Sequence, residues 1–212
     1  MRFAMLYPPL VAAFGGWAAI TLDDLPDYVV AQKPVTLAFT VRQHGVRPIG
    51  GLTPTVDATT RGRSAVASVA PGAEPGTYRA TLTFPDTGDW TVTINSGFAA
   101  SRTTLLPLKA IAAGAPAPAA PLAAERGRRL FIAKGCGMCH VYRGLSDNSL
   151  GIGPELTNLH LAPDFLARFL ADPAAVLPQP RGTFAMPNLG LKPAEIAALV
   201  SFIGSAGPAA AE

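Results

Sequence analysis

Cysteine is nearly missing from this chain of 212 residues, which has only Cys136 and Cys139. Two thiols three positions apart cannot staple distant segments, so a disulfide-built secreted scaffold is excluded. Charge is scarce as well, at 15% of residues with a net +3, and the basic residues stand singly or in pairs. No basic run is present to grip a polyanion, so nucleic acid is excluded as a partner. A long polar tract is also lacking, and 49% of residues are hydrophobic, so the chain folds around a core. With 21 Gly and 21 Pro, the chain has too many breaks for one large helical bundle, and two domains suit its length.

Arg2 is followed by an uncharged, mostly apolar stretch reaching Ile20, with small residues around Val11 to Ala13. Residues 1–16 are expected to be an export signal or an N-terminal anchor. Pro8-Pro9 and Gly15-Gly16 disfavour an uninterrupted spanning helix, which favours the signal. This predicts a periplasmic or otherwise extracytoplasmic protein, membrane-associated if the N-terminus is retained.

Residues 17–109 alternate with period two. The pattern is clearest at Val35, Leu37, Phe39 and Val41, at Tyr78, Ala80, Leu82 and Phe84, and at Trp90, Val92 and Ile94. Apolar on one face and polar on the other marks half-buried strands. Turn residues at His44-Gly45, Arg61-Gly62, Pro71-Gly72 and Pro85 to Gly88 divide them into about seven short strands, predicting an antiparallel β-sandwich. Residues 110–124 are rich in Ala and Pro and carry neither pattern, so they read as a linker. At roughly 3.1 Å per extended residue, about twelve of them span about 35 Å, enough to let the flanking domains separate.

Residues 125–206 change to helical spacing, with 207–212 as a tail. Leu130, Ile132 and Ala133 lead into the cysteine pair. Phe165, Leu166, Phe169 and Leu170 form a stripe behind Pro163, and Ile196, Leu199, Val200 and Ile203 form another behind Pro193. Lys192 stands where Ser, Thr or Asp would cap better, so the start of the last helix is expected to fray.

The cysteines belong to the string Cys136-Gly137-Met138-Cys139-His140. On a helical turn, residues three apart share a face, so both thiols can reach the vinyl groups on one edge of a porphyrin while the next residue, a histidine, points at its iron. A thioredoxin-like dithiol would need an αβ frame that is not legible here, and structural zinc would need a fourth ligand, with only His160 and His44 left among suitable side chains. A disulfide across two residues constrains the unfolded chain little. One covalent haem c is therefore the expected cofactor.

Four methionines offer a second axial ligand. Met1 and Met5 fall in the signal and Met138 lies inside the attachment turn, which leaves Met186. Pro187 biases it towards an extended loop from which its thioether can project. The string Gly151 to Leu156 supplies a partner for the histidine's other ring nitrogen: the Pro154 carbonyl, approached closely past Gly153. His160 and His44 read as loop histidines. With one His and no Cys, the strand-rich part is excluded as a copper site.

From about Glu125 to Gly204 the chain resembles a small class I cytochrome c, on Gly127 and Phe131, Cys136-x-x-Cys139-His140, the Gly151 to Leu156 string, Met186-Pro187 and Phe202 in the final helix. The resemblance implies an all-α domain whose first and last helices cross near Gly127, where Phe131 and Phe202 pack. It also implies haem attached by Cys136 and Cys139 and ligated by His140 and Met186. The stretch LPDYVVAQKPVTLAFTVRQHGVRPIGGLTPTV is similar to YtkA-like immunoglobulin-type domains of exported proteins, which implies a sandwich used for docking or spacing.

The resulting expectation is an exported cytochrome carrying single electrons between redox partner proteins, not an enzyme. Two other readings stay open. A displaceable sixth ligand would make the protein a gas sensor or peroxidase-like enzyme, and a docked sandwich would make it a fixed subunit of a membrane respiratory or dehydrogenase complex.

Overall fold

The computed structural model describes residues 16–178 and 185–204. Residues 1–15, which hold nearly all of the expected signal or anchor, and the tail at 207–212 lie outside the described residues.

The first part of the chain is a two-sheet sandwich. One sheet runs in the order β1 (Ala18–Leu22), β3 (Pro34–Gln43), β8 (Thr77–Thr83), β7 (Ser68–Pro71), with β4 (Arg47–Pro48) beside β3. The other runs β2 (Tyr28–Val30), β11 (Leu108–Ile111), β9 (Gly88–Asn95), β5 (Thr55–Thr60), β6 (Arg63–Val66), with β10 (Arg102–Thr104) beside β9. All pairings are antiparallel except that of β11 with β2, which is parallel. The inward positions are those the alternation marks: Leu37 opposes Ala80 and Phe39 opposes Tyr78, while Val92 opposes Ala58 and Ile94 opposes Val56, all buried. Facing rows of this kind interdigitate into a sandwich core. Trp90 is fully buried at its centre, edge-on to Phe84 at 5.6 Å, with its indole N–H donating to the Asp86 carbonyl.

Eleven strands form among the described residues rather than about seven. The extra ones, such as β4, β6, β7 and β10, are two to four residues long, too short for alternation to register in a sequence.

The second part is helical. Its elements are α1 (Ala123–Ala133), the single turn α2 (Cys136–Cys139), α3 (Pro163–Ala171), α4 (Pro173–Val176) and α5 (Pro193–Gly204). Helices α1 and α5 cross at Gly127, where an added Cβ would lie 2.0 Å from the Ala198 carbonyl oxygen. Beyond the crossing, Phe131 meets Phe202 edge-on at 5.8 Å, and Tyr142 stacks on Phe202 at 4.6 Å. The start of α5 is held despite its lysine. Glu195 reaches back to accept the Lys192 N–H at 3.0 Å, the acidic half of a capping box.

Residues 112–122 do not hold the domains apart. Strand β11 continues to Ile111, inside the segment expected to be linker, and the domains share a continuous apolar core. The contact is polar at its rim. Arg126 donates to the Leu25 carbonyl and pairs with Asp27, Arg129 donates to the Pro107 carbonyl, and Lys192 pairs with Asp24. At its centre the Lys134 ammonium, 4% exposed, bonds the Asp23 carbonyl at 2.9 Å and the Glu195 carboxylate at 2.8 Å. That lysine therefore ties the end of α1 to both α5 and the sandwich. Removing one partner of such a buried pair costs about 3–5 kcal/mol, because the other charge is stranded.

Gly127→Ala separates two opposing effects. Helix propensity alone would stabilise α1 by about 1 kcal/mol, but the methyl has no room at the crossing, and overpacking costs about 1–3 kcal/mol. The variant should therefore unfold at lower denaturant; a midpoint at or above wild type would show that the helices do not meet here.

Candidate functional site

The cysteine pair sits on α2, which Gly135 allows to turn away from α1 in a left-handed conformation (φ 77°). Cys136, Cys139, His140, Pro154 and Met186 all line one cavity of about 350 Å³. Met138, between the thiols, lines a different cavity with Asp147 and Asn148. His160 is exposed and is not among the residues lining the first cavity.

The segment from Leu150 to Leu156 is laced along the attachment turn. Leu150 N–H donates to the Met138 carbonyl, Gly153 N–H to the Cys139 carbonyl and Leu156 N–H to the Val141 carbonyl. This lacing brings Pro154 against the imidazole, and His140 Nδ1 lies 2.9 Å from the Pro154 carbonyl oxygen. A carbonyl cannot donate, so Nδ1 carries the proton and Nε2 keeps its lone pair. Gly153 lies beneath the ring, where a Cβ would come within 2.4 Å of His140 Cε1. Burial lowers the His140 pKa, with the Pro154 bond acting in the opposite direction. The ring is neutral at pH 7, the form that ligates metals.

Burial pushes the Cys136 thiol up to about 12 and also raises that of Cys139. Both are free, and at neutral pH both keep their hydrogen. That is unlike the low-pKa thiolate of a dithiol oxidoreductase. Among the described residues no group of three or more His, Cys, Asp or Glu side chains is placed to hold a metal ion.

Several residues at or beside this cavity are not marked as site residues by the sequence. Ser146 is buried; its hydroxyl donates to the His140 carbonyl and accepts the Tyr142 N–H, each at 2.8 Å, fixing the chain where it leaves the motif. Phe169, Leu177 and Ile152 add apolar walls. Trp17, Ala19, Thr21, His44 and Gly45 line the same cavity from the sandwich. His44 is an exposed turn residue, as expected, and also borders this cavity. A serine six residues beyond the histidine, or an apolar residue on a remote strand, has no local pattern to betray it.

Residues 124–207 match the family model described as Cytochrome c. Residues 124–207 are a cytochrome c domain. A cytochrome c domain binds a covalent haem c with its iron, and one such domain implies one haem. The residues present fit that group: two protonated thiols on one edge, an imidazole with its lone pair free, and a glycine-floored slot bounded by aromatic and aliphatic side chains. The chain thus carries a haem-binding cytochrome c domain behind a strand-rich N-terminal part. No curated protein matches the chain. Among solved structures, it is similar to surface layer protein SbsC, domains 1-6, at 24% identity and a TM-score of 0.33, covering 46% of this chain and 13% of that one. It is also similar to domains 4 and 5 of the S-layer protein SbsC, at 22% identity and a TM-score of 0.31, covering 43% of this chain and 50% of that one. Likeness at that level carries no argument about function. Among the described residues, no helix is long and apolar enough to cross a membrane.

Gly153→Ala forces either the imidazole or the laced segment to withdraw, at about 1–3 kcal/mol for overpacking. Chemical denaturation of the full chain should show that loss; wild-type stability would mean the ring does not rest on this glycine.

Proposed function

We propose that the protein is an exported carrier of single electrons whose haem c is held by thioether bonds to Cys136 and Cys139 and ligated by His140 and Met186. The observation that supports this is the convergence of those four side chains on one cavity from α2 and the loop before α5. Cys136 and Cys139 would each add their S–H across a vinyl group, carbon taking both the sulfur and the hydrogen, so that attachment needs no oxidant. When bound, haem c supplies a one-electron iron couple.

The chain's own residues do the rest. Pro154 holds the His140 ring in the tautomer that presents Nε2, which fixes its orientation and strengthens it as a donor. Met186, in the loop before α5, would offer a neutral thioether, which favours the reduced metal and raises the potential relative to a second imidazole. Ligation by both His140 and Met186 would leave no coordination position open to a gas or peroxide, which favours carriage of electrons over sensing or catalysis. The partners are redox proteins that donate and accept single electrons. Cytochrome c domains are typically extracytoplasmic, which agrees with export, while the two facing sheets are in keeping with a YtkA-like immunoglobulin-type module.

Spectra and redox titration of Met186→Ala test the ligand set. The variant should lose the methionine-to-iron charge-transfer band and its potential should fall steeply. An unchanged spectrum and potential would assign the sixth position to another residue.

A further inference from the structure

Strand β1 is buried at all five positions, which a strand in a sheet with one solvated face would not be. Side chains two apart share a face, and the two faces of β1 have different surroundings. Ala18, Ile20 and Leu22 belong to the apolar core, whereas Ala19 and Thr21, with Trp17 just before the strand, line the cavity that holds Cys136, Cys139, His140 and Met186. The β3–β4 hairpin extends the same surface. The His44 N–H donates to the Trp17 carbonyl at 3.0 Å and its ring lies tilted on the indole at 5.7 Å, with His44 and Gly45 both in left-handed conformations (φ 53° and 73°).

This surface is fixed at two places that flank the site. Next to Cys136, Gly135 approaches β1 so closely that a Cβ would lie 2.7 Å from the Ile20 carbonyl oxygen, and Lys134 is bonded to Asp23. Next to Met186, a Cβ at Gly45 would lie 3.9 Å from Pro187 Cγ, ordinary van der Waals contact.

We propose that the sandwich is a structural wall of the haem pocket, with Trp17 and His44 excluding water from the side between Cys136 and Met186, so that the N-terminal domain helps to set the reduction potential. This rests on the reading that the cavity holds haem c. The physical cause is solvation: the oxidised iron centre carries one more positive charge than the reduced one, and a dry apolar wall disfavours the more charged state. The indole is the largest apolar group on that wall, beside Ala19 and Thr21. A module used only for docking or spacing would leave the potential independent of these residues.

The test uses the full haem-loaded chain. Trp17→Ala should keep the absorption spectrum of the wild-type ligand set while its potential falls. A tenfold shift of the reduced-to-oxidised ratio, about 59 mV for a one-electron couple, is the size expected. Reduction by a small hydrophilic reagent should become several-fold faster. Trp17→Phe should recover most of both effects, and Val66→Ala, at an exposed position of β6 outside the cavity, should match wild type. His44→Ala, which leaves β1 intact, should shift both readouts in the same direction and keeps the test decisive if Trp17→Ala fails to fold. Wild-type potential and reagent rates in haem-loaded Trp17→Ala, or in His44→Ala where the former does not fold, overturn the wall. A wild-type chain that matures without covalent haem overturns the underlying reading, and the wall with it.

Discussion

At Gly127, Gly135 and Gly153 the backbone comes closer to its neighbours than any side chain would permit, and the geometry of the site follows from those three approaches. The first lets α1 and α5 cross with carbonyl against Cα, which fixes where α1 ends and where the attachment turn begins. The second seats that turn on β1 of the sandwich. The third slides the Leu150 to Leu156 segment under the imidazole, so that its ring is gripped by the Pro154 carbonyl from one side and floored by backbone from below. Each close contact costs nothing in side-chain entropy, because glycine has no side chain to order. Each also fails sharply on enlargement, because a packed interior yields little.

Electrostatics reinforces the same geometry at the domain boundary. Glu195 serves the start of its own helix and the ammonium of Lys134, and Lys134 bonds a carbonyl of the sandwich. A buried pair of this kind is weak as a source of stability but strict as a register device, since sliding one element strands a charge. The result is a cytochrome c domain and a β-sandwich that meet in one orientation, with the cavity opening where they meet.

Much of the fold was legible in the chain because its signals are local. Leu37, Phe39, Tyr78, Leu82, Trp90 and Ile94 alternate on strands long enough for period two to show, and all are buried. Cys136, Cys139 and His140 lie within five consecutive residues, and Met186 stands out because so few methionines compete with it. What escaped notice is nonlocal. Ala19 and Thr21 sit on a strand with both faces covered, and Trp17 just before it, so its sequence Ala18–Leu22 shows no alternation and merges with the apolar stretch before it. The Lys134–Glu195 pair joins residues far apart in the chain, each of which reads as an ordinary surface charge. Composition alone suggested a tether at residues 110–124, because an Ala- and Pro-rich segment looks the same whether or not the domains it joins are in contact.

The central claim is that the only two thiols of the chain hold a porphyrin between them. Mass spectrometry of the matured protein, intact and as the peptide spanning Cys136 to His140, tests it most directly. The account predicts the mass of one haem bound to that peptide through both sulfurs. Two free thiols, or two sulfurs joined only to each other, would contradict it.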